Sequence, residues 1–128
     1  MLRDLDSKFT ERESAAVSEW LDSGAPIHSM RDNIYHNIPL HGAGWGASLI
    51  KDGTRDLWRS AWENILNDTI TYSPRAMKGP DQDILTRHVW PWGQNMSLQH
   101  DIYTCKYYTG AIGFPTRYAK AHFCWDAL

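Results

Sequence analysis

Four groups of residues in this chain have the types and spacing for chemistry. The first is Asp4-x-Asp6. Two carboxylates one residue apart, where a chain leaves a sheet, can share one hard divalent cation such as Mg²⁺ or Mn²⁺, which prefers oxygen ligands and bridges to a diphosphate. The same pair also reads as two solvated acids in a turn. The second is Gly79-Pro80-Asp81-Gln82-Asp83-Ile84-Leu85, either an acidic first helical turn or a carboxylate and an amide aimed from a helix start into a cleft. The third is Gln99-His100-Asp101, whose histidine suits a metal already held by two acids or serves as a structural histidine. The fourth is Met30-Arg31-Asp32-Asn33 with Tyr35 and His36. Arg31 has the forked geometry to clamp a phosphate or carboxylate, or to pair with an acid of its own chain.

These groups need elements to hold them. Residues 1–6 read as the end of a strand that delivers Asp4 and Asp6. Thr10-Glu11-Arg12-Glu13 is a capping box, and Ala16, Val17, Trp20 and Leu21 follow at helical spacing until Gly24 and Pro26 end the helix. Ile27 to Arg31 is a short strand candidate, and Asn33 to Pro39 a loop. Three glycines within Gly42–Gly46 place backbone close to a turn, a ligand or another strand. Asp52 or Thr54 can cap the next helix. There Leu57, Trp58, Ala61, Trp62, Ile65 and Leu66 form the clearest apolar stripe, as on a helix packed against a sheet. A loop runs from Pro74, and Pro80 takes a first helical position with Asp81 and Asp83 complementing the dipole. Ile84, Leu85 and Val89 continue that helix, and Pro91 is expected to stop it. Ser97 to Asp101 is a short strand, followed by an irregular aromatic tail. Strands alternating with helices predict an α/β layer structure in one domain, residues 1–128.

Composition narrows the function. The 128 residues are 42% hydrophobic and 22% charged, so a folded core is expected and disorder is not. Net charge is −2 without a basic cluster, which argues against a dedicated nucleic-acid binder. No apolar stretch is long enough for a bilayer span, and the first residues do not resemble a signal peptide, so a cytoplasmic location is the default expectation. Seven Trp and six Tyr against three Phe supply rings with polar tips, which suit carbohydrate and nucleotide pockets as well as half-buried cores. Cys105 and Cys124 cannot build a disulfide framework, and read as free buried thiols or one late bridge.

Taken in order, the motifs resemble the GT-A class of nucleotide-sugar glycosyltransferases. Asp-x-Asp at a strand end, a glycine-containing strand about forty residues on, Asp81-Gln82-Asp83-Ile84-Leu85 opening a helix and a late histidine are similar to the glycogenin-like and lipopolysaccharide galactosyltransferase group. Arg3-Asp4-Leu5-Asp6-Ser7, Glu19-Trp20-Leu21, Met30-Arg31-Asp32, Trp45-Gly46, Gly79-Pro80-Asp81-Gln82, His100-Asp101-Ile102-Tyr103-Thr104-Cys105 and Phe114-Pro115-Thr116-Arg117 extend the likeness over nearly the whole chain. Asn33-Ile34, Gly42-Ala43-Gly44 and Ile102 depart from that pattern without removing an expected metal ligand.

The resemblance implies a partial GT-A domain, beginning at the Asp-x-Asp strand, with a mixed sheet and packed helices. The Rossmann-like unit that holds much of the nucleotide would precede it as a missing N-terminal segment. By the same analogy Asp4, Asp6 and His100 hold Mn²⁺ or Mg²⁺, which bridges the diphosphate of the donor and stabilises the leaving group. Asp81 is the implied general base of an inverting hexosyl transfer, and Gln82 steadies the sugar centre in a retaining one. Arg31 and Asp32 meet hydroxyls or phosphate, and Gly44, Trp45 and Gly46 form a wall beside the sugar. Trp90 and Trp92 shape the acceptor side or simply pack on the sheet. The implied partners are a nucleotide-sugar donor and a carbohydrate or glycoconjugate acceptor. Two rivals stand beside this reading. A zinc module from His100, Cys105, His122 and Cys124 has poorly fitting spacings. A non-catalytic carbohydrate-binding or interaction domain fits the tryptophan content.

Overall fold

A computed structural model describes residues 8–50, 53–71, 80–103 and 106–115. The expected strand over residues 1–6 with Asp4 and Asp6, the cap Asp52, the loop from Pro74, Cys105, His122 and Cys124 lie outside the described residues.

The protein is mixed α/β. Helix α1 (Glu11–Ser23) opens with the full capping box, in which the Thr10 hydroxyl accepts from the Glu13 N–H and the Glu13 carboxylate accepts from the Thr10 N–H at 2.8 Å. It closes on Gly24, whose φ of 68° is the left-handed conformation that costs glycine little. Strand β1 (Ile27–Arg31) follows, then β2 (Trp45–Ala47). Helices α2 (Thr54–Thr71), α3 (Pro80–His88) and α4 (Trp90–Gly93) lead through a single 3₁₀ turn to β3 (Ser97–Asp101). The sheet order is β2-β1-β3. β1 runs antiparallel to β2, with Ser29 opposite Trp45, and parallel to β3, with Arg31 opposite Asp101.

Being central, β1 is buried along its whole length, although three of its five residues are polar. Alternation sends Ile27, Ser29 and Arg31 to one face and His28 and Met30 to the other. On the first face Ile27 joins Leu40, Ala61, Leu85 and Val89, flanked by Trp45, Trp58, Ile65, Trp90 and Trp92. On the second, Met30 packs with Ala16 of α1 and Phe114. Each fully buried aliphatic side chain here contributes about 1.5–3 kcal/mol.

Three local expectations are revised. Pro91 does not end the helical region. α3 stops at His88, and Pro91 sits in the first turn of α4, where its missing N–H costs nothing. Leu21 is exposed, since α1 is met by the sheet only along its Ala16–Trp20 side. Trp62 and Leu66 of the α2 stripe are also exposed, because the three described strands end before they reach them.

Gly46 shows how closely α1 lies on the sheet. A β carbon there would stand 2.9 Å and 3.0 Å from two ring carbons of Trp20, which is itself pinned by its indole N–H donating to the Ala25 carbonyl at 2.7 Å. Gly46→Ala is therefore expected to destabilise the fold by about 1–3 kcal/mol, the usual cost of overpacking. Urea denaturation reads this directly, and an unchanged midpoint would refute the packing argument.

Candidate functional site

A cleft of about 410 Å³ opens beside β2, between α2 and α3. Gly42 and Trp45 form one side, Trp62 and Ile65 come from α2, and Asp81, Ile84 and Leu85 come from α3. The walls are held at a fixed distance by charge. Asp68 of α2 accepts from Arg87 at 3.3 Å and pairs with His88, and Arg87 also pairs with Asp83. Asp81 leaves the exposed first turn of α3 and reaches Gly42. A β carbon at position 42 would fall on the Asp81 carboxylate and 3.7 Å from the Gln82 side chain. Glycine is thus required there by close approach, one of the options its spacing raised.

The cleft brings together Trp45 and Asp81, with Gln82 and Gly44 beside them. Gly44 is buried and works through its backbone. Its carbonyl accepts from the Met30 N–H at 2.8 Å, and its own N–H donates to the His41 carbonyl at 2.9 Å. Gly46 lies under Trp20 on the other sheet face. Trp62 is the wall residue that helical periodicity hid. Its spacing matches a core stripe, and only its position beyond the sheet edge makes it part of a surface.

Arg31 and His100 stand elsewhere. Arg31 is wholly buried. Its Nε donates to the Ile38 carbonyl at 2.8 Å, Nη2 donates to the Pro39 carbonyl and Gln99 Oε1 at 2.9 Å each, and Nη1 donates to Asp101 at 3.4 Å. Its guanidinium also lies 3.5 Å from the Tyr108 ring centre. Burial pulls its pKa below the ordinary arginine value, opposed by Tyr108 and Asp101. Asp32 next to it is exposed and pairs with His36 Nδ1 at 3.1 Å.

His100 faces α1, away from the cleft. Its Nε2 donates to Glu19 at 3.0 Å, which leaves Nδ1 to accept from His28 Nε2 at 2.8 Å. His28 stacks on Trp20 with ring centres 5.1 Å apart, and its Nδ1 has no partner among the described residues. Burial, then the neighbouring His100, pushes the His28 pKa down to about 3. Burial also lowers that of His100, against the hydrogen bond and charge of Glu19. To meet a cation, His100 would have to give up one of these two hydrogen bonds. Among the described residues no group of three or more His, Cys, Asp or Glu side chains stands close enough to hold a metal.

Fold and cleft together define a mixed α/β protein with an aromatic-walled groove carrying a carboxylate. No family model, curated protein or solved structure matches the chain. No helix among the described residues is long and apolar enough to cross a membrane.

Proposed function

We propose that the protein is glycosyltransferase-like and takes a sugar unit in the Trp45–Asp81 cleft. The observation that supports this is the meeting of two indoles, Trp45 and Trp62, with the Asp81 carboxylate around one groove. A pyranose presents C–H faces to aromatic rings and hydroxyls to a carboxylate, so this combination suits it better than an ion or a purely apolar ligand. The donor would be a nucleotide-diphosphate sugar and the acceptor a carbohydrate or glycoconjugate. In an inverting transfer the acceptor oxygen bonds to the anomeric carbon as the bond to the diphosphate breaks, and Asp81 takes the acceptor's hydroxyl proton. Gln82 would instead steady the sugar centre in a retaining transfer. Mn²⁺ or Mg²⁺ would neutralise the departing diphosphate. With His100 engaged by His28 and Glu19, no step here is routed through it. That engagement also favours a second reading, metal-independent carbohydrate binding without transfer.

One set of titrations tests both. Tryptophan fluorescence follows uridine diphosphate with Mn²⁺, and free hexoses in chelator, on the wild type, Asp81→Asn and Trp62→Ala. Trp62 is exposed, so its truncation should spare the fold while weakening hexose binding by about tenfold, the loss of one stacked ring. Nucleotide binding that needs Mn²⁺ supports the transferase. Hexose binding alone supports the second reading. Indifference of both ligands to both substitutions sinks the cleft assignment.

A further inference from the structure

A second cavity, of about 340 Å³, shares no residue with the cleft and does not rest on its assignment. It lies against β3 and α4, lined by Trp90, Gln94, Asn95, Gln99, Tyr107 and Tyr108. We propose that it is a binding site for one neutral pyranose ring. The argument starts at Gln99, which is 4% exposed. Its Oε1 accepts from Arg31 Nη2 at 2.9 Å, and a guanidinium has donors only. The amide is therefore oriented: oxygen toward Arg31, NH₂ away from it. Arg31 cannot turn, being held at the same time by the carbonyls of Ile38 and Pro39. The Gln99 NH₂ has no partner among the described residues, and the cavity is where this side chain keeps its remaining accessible surface. The NH₂ is not among the buried polar atoms left unpaired, so it reaches the cavity, where an oriented donor on a fixed side chain is free to meet a ligand's oxygen.

The rest of the lining sets the ligand class. Among the described residues it contains no acidic, basic or histidine side chain, which suits an uncharged ligand. Gln94 and Asn95 add amides that can both donate and accept, which suits hydroxyls. The Trp90 and Tyr108 rings stand 6.2 Å apart at 87°, forming a corner. One face of Tyr108 is covered by Arg31. Two perpendicular rings cannot sandwich a flat nucleobase. They can both touch a puckered ring that presents C–H groups at its face and its edge, with Tyr107, half-exposed, closing the mouth.

The test is a proton–nitrogen NMR titration of the whole chain with methyl β-glucopyranoside, methyl β-galactopyranoside and uridine. It follows the Gln99 side-chain NH₂ and the Trp90 indole N–H. At least one glycoside should shift both signals saturably. Gln99→Glu keeps an oxygen for Arg31 and removes the NH₂, so glycoside affinity should fall by about tenfold, the worth of one buried hydrogen bond. Tyr107→Ala should weaken it similarly and carries the test if the first variant does not fold. Trp62→Ala, which alters only the other cleft, should leave these shifts unchanged. No glycoside-dependent shift at Gln99, equal affinity in the variants and the wild type, or binding of uridine without either glycoside would overturn the proposal.

Discussion

Arg31→Met should cost about 3–5 kcal/mol of stability, the range measured when one partner of a buried charge pair is removed. The methionine fills much of the volume and cannot hydrogen-bond. Three chain segments converge on the guanidinium: the loop carbonyls of Ile38 and Pro39, the β3 side chains Gln99 and Asp101, and the Tyr108 ring. Removing it deprives each of a charged donor, and Asp101, fully buried, keeps a negative charge that the guanidinium balanced. Against a total of about 5–15 kcal/mol for a domain, this is a large fraction. Arg31→Lys should recover little, since one ammonium cannot span acceptors spread around a planar fork. Urea unfolding of both variants, monitored by near-ultraviolet circular dichroism, measures the loss. A cost below about 1 kcal/mol for the methionine variant, the level of an exposed ion pair, would mean that the knot is not structural.

The sequence made Arg31 conspicuous without choosing its role. Next to Asp32 and the polar loop after it, the residue could clamp a ligand or pair with an acid of its own chain, and the acid it meets is Asp101. Its burial follows from position: β1 became the middle strand, which no count of its own apolar residues predicts, because Ile27-His28-Ser29-Met30-Arg31 has only two. What local rules govern was legible. The capping box, the Gly24 stop, the α2 stripe and Pro80 at the start of α3 stand where hydrogen-bonding capacity and backbone preference put them. What depends on the width of the sheet was not. Trp62 carries the same signal as Ala61, yet one closes the core and the other overhangs its edge. Asp81 and Trp45 line one groove only because Gly42 lets α3 close on the loop before β2, a contact between residues about forty positions apart. His28 raised no signal at all, because a lone histidine in a short strand points to nothing until its neighbours across the sheet are known.

That histidine gives the second large effect. Stability should fall steadily as pH drops from about 6.5, by about 2 kcal/mol at pH 5 from His28 alone. The sign follows from the two end states. Unfolded, His28 takes a proton near its ordinary value of 6.5; folded, it resists until about pH 3. Across that window the unfolded chain binds the extra proton, so acid favours unfolding, and the stabilisation is fully present only above 6.5. The cause is structural. The ring lies beneath Trp20, its Nε2 is committed to His100, and a proton on Nδ1 would find no acceptor among the described residues. His100 works in the same direction, since burial lowers its pKa too, while the exposed Glu19 side chain limits the shift and Asp101 opposes it more weakly. Glu19→Gln should therefore steepen the acid dependence, whereas His28→Gln, which cannot titrate, should flatten it at some cost at neutral pH. Unfolding free energies between pH 5 and 8 for the three proteins separate these effects. A slope that stays the same without the His28 imidazole would show that the buried pair is not what senses the proton.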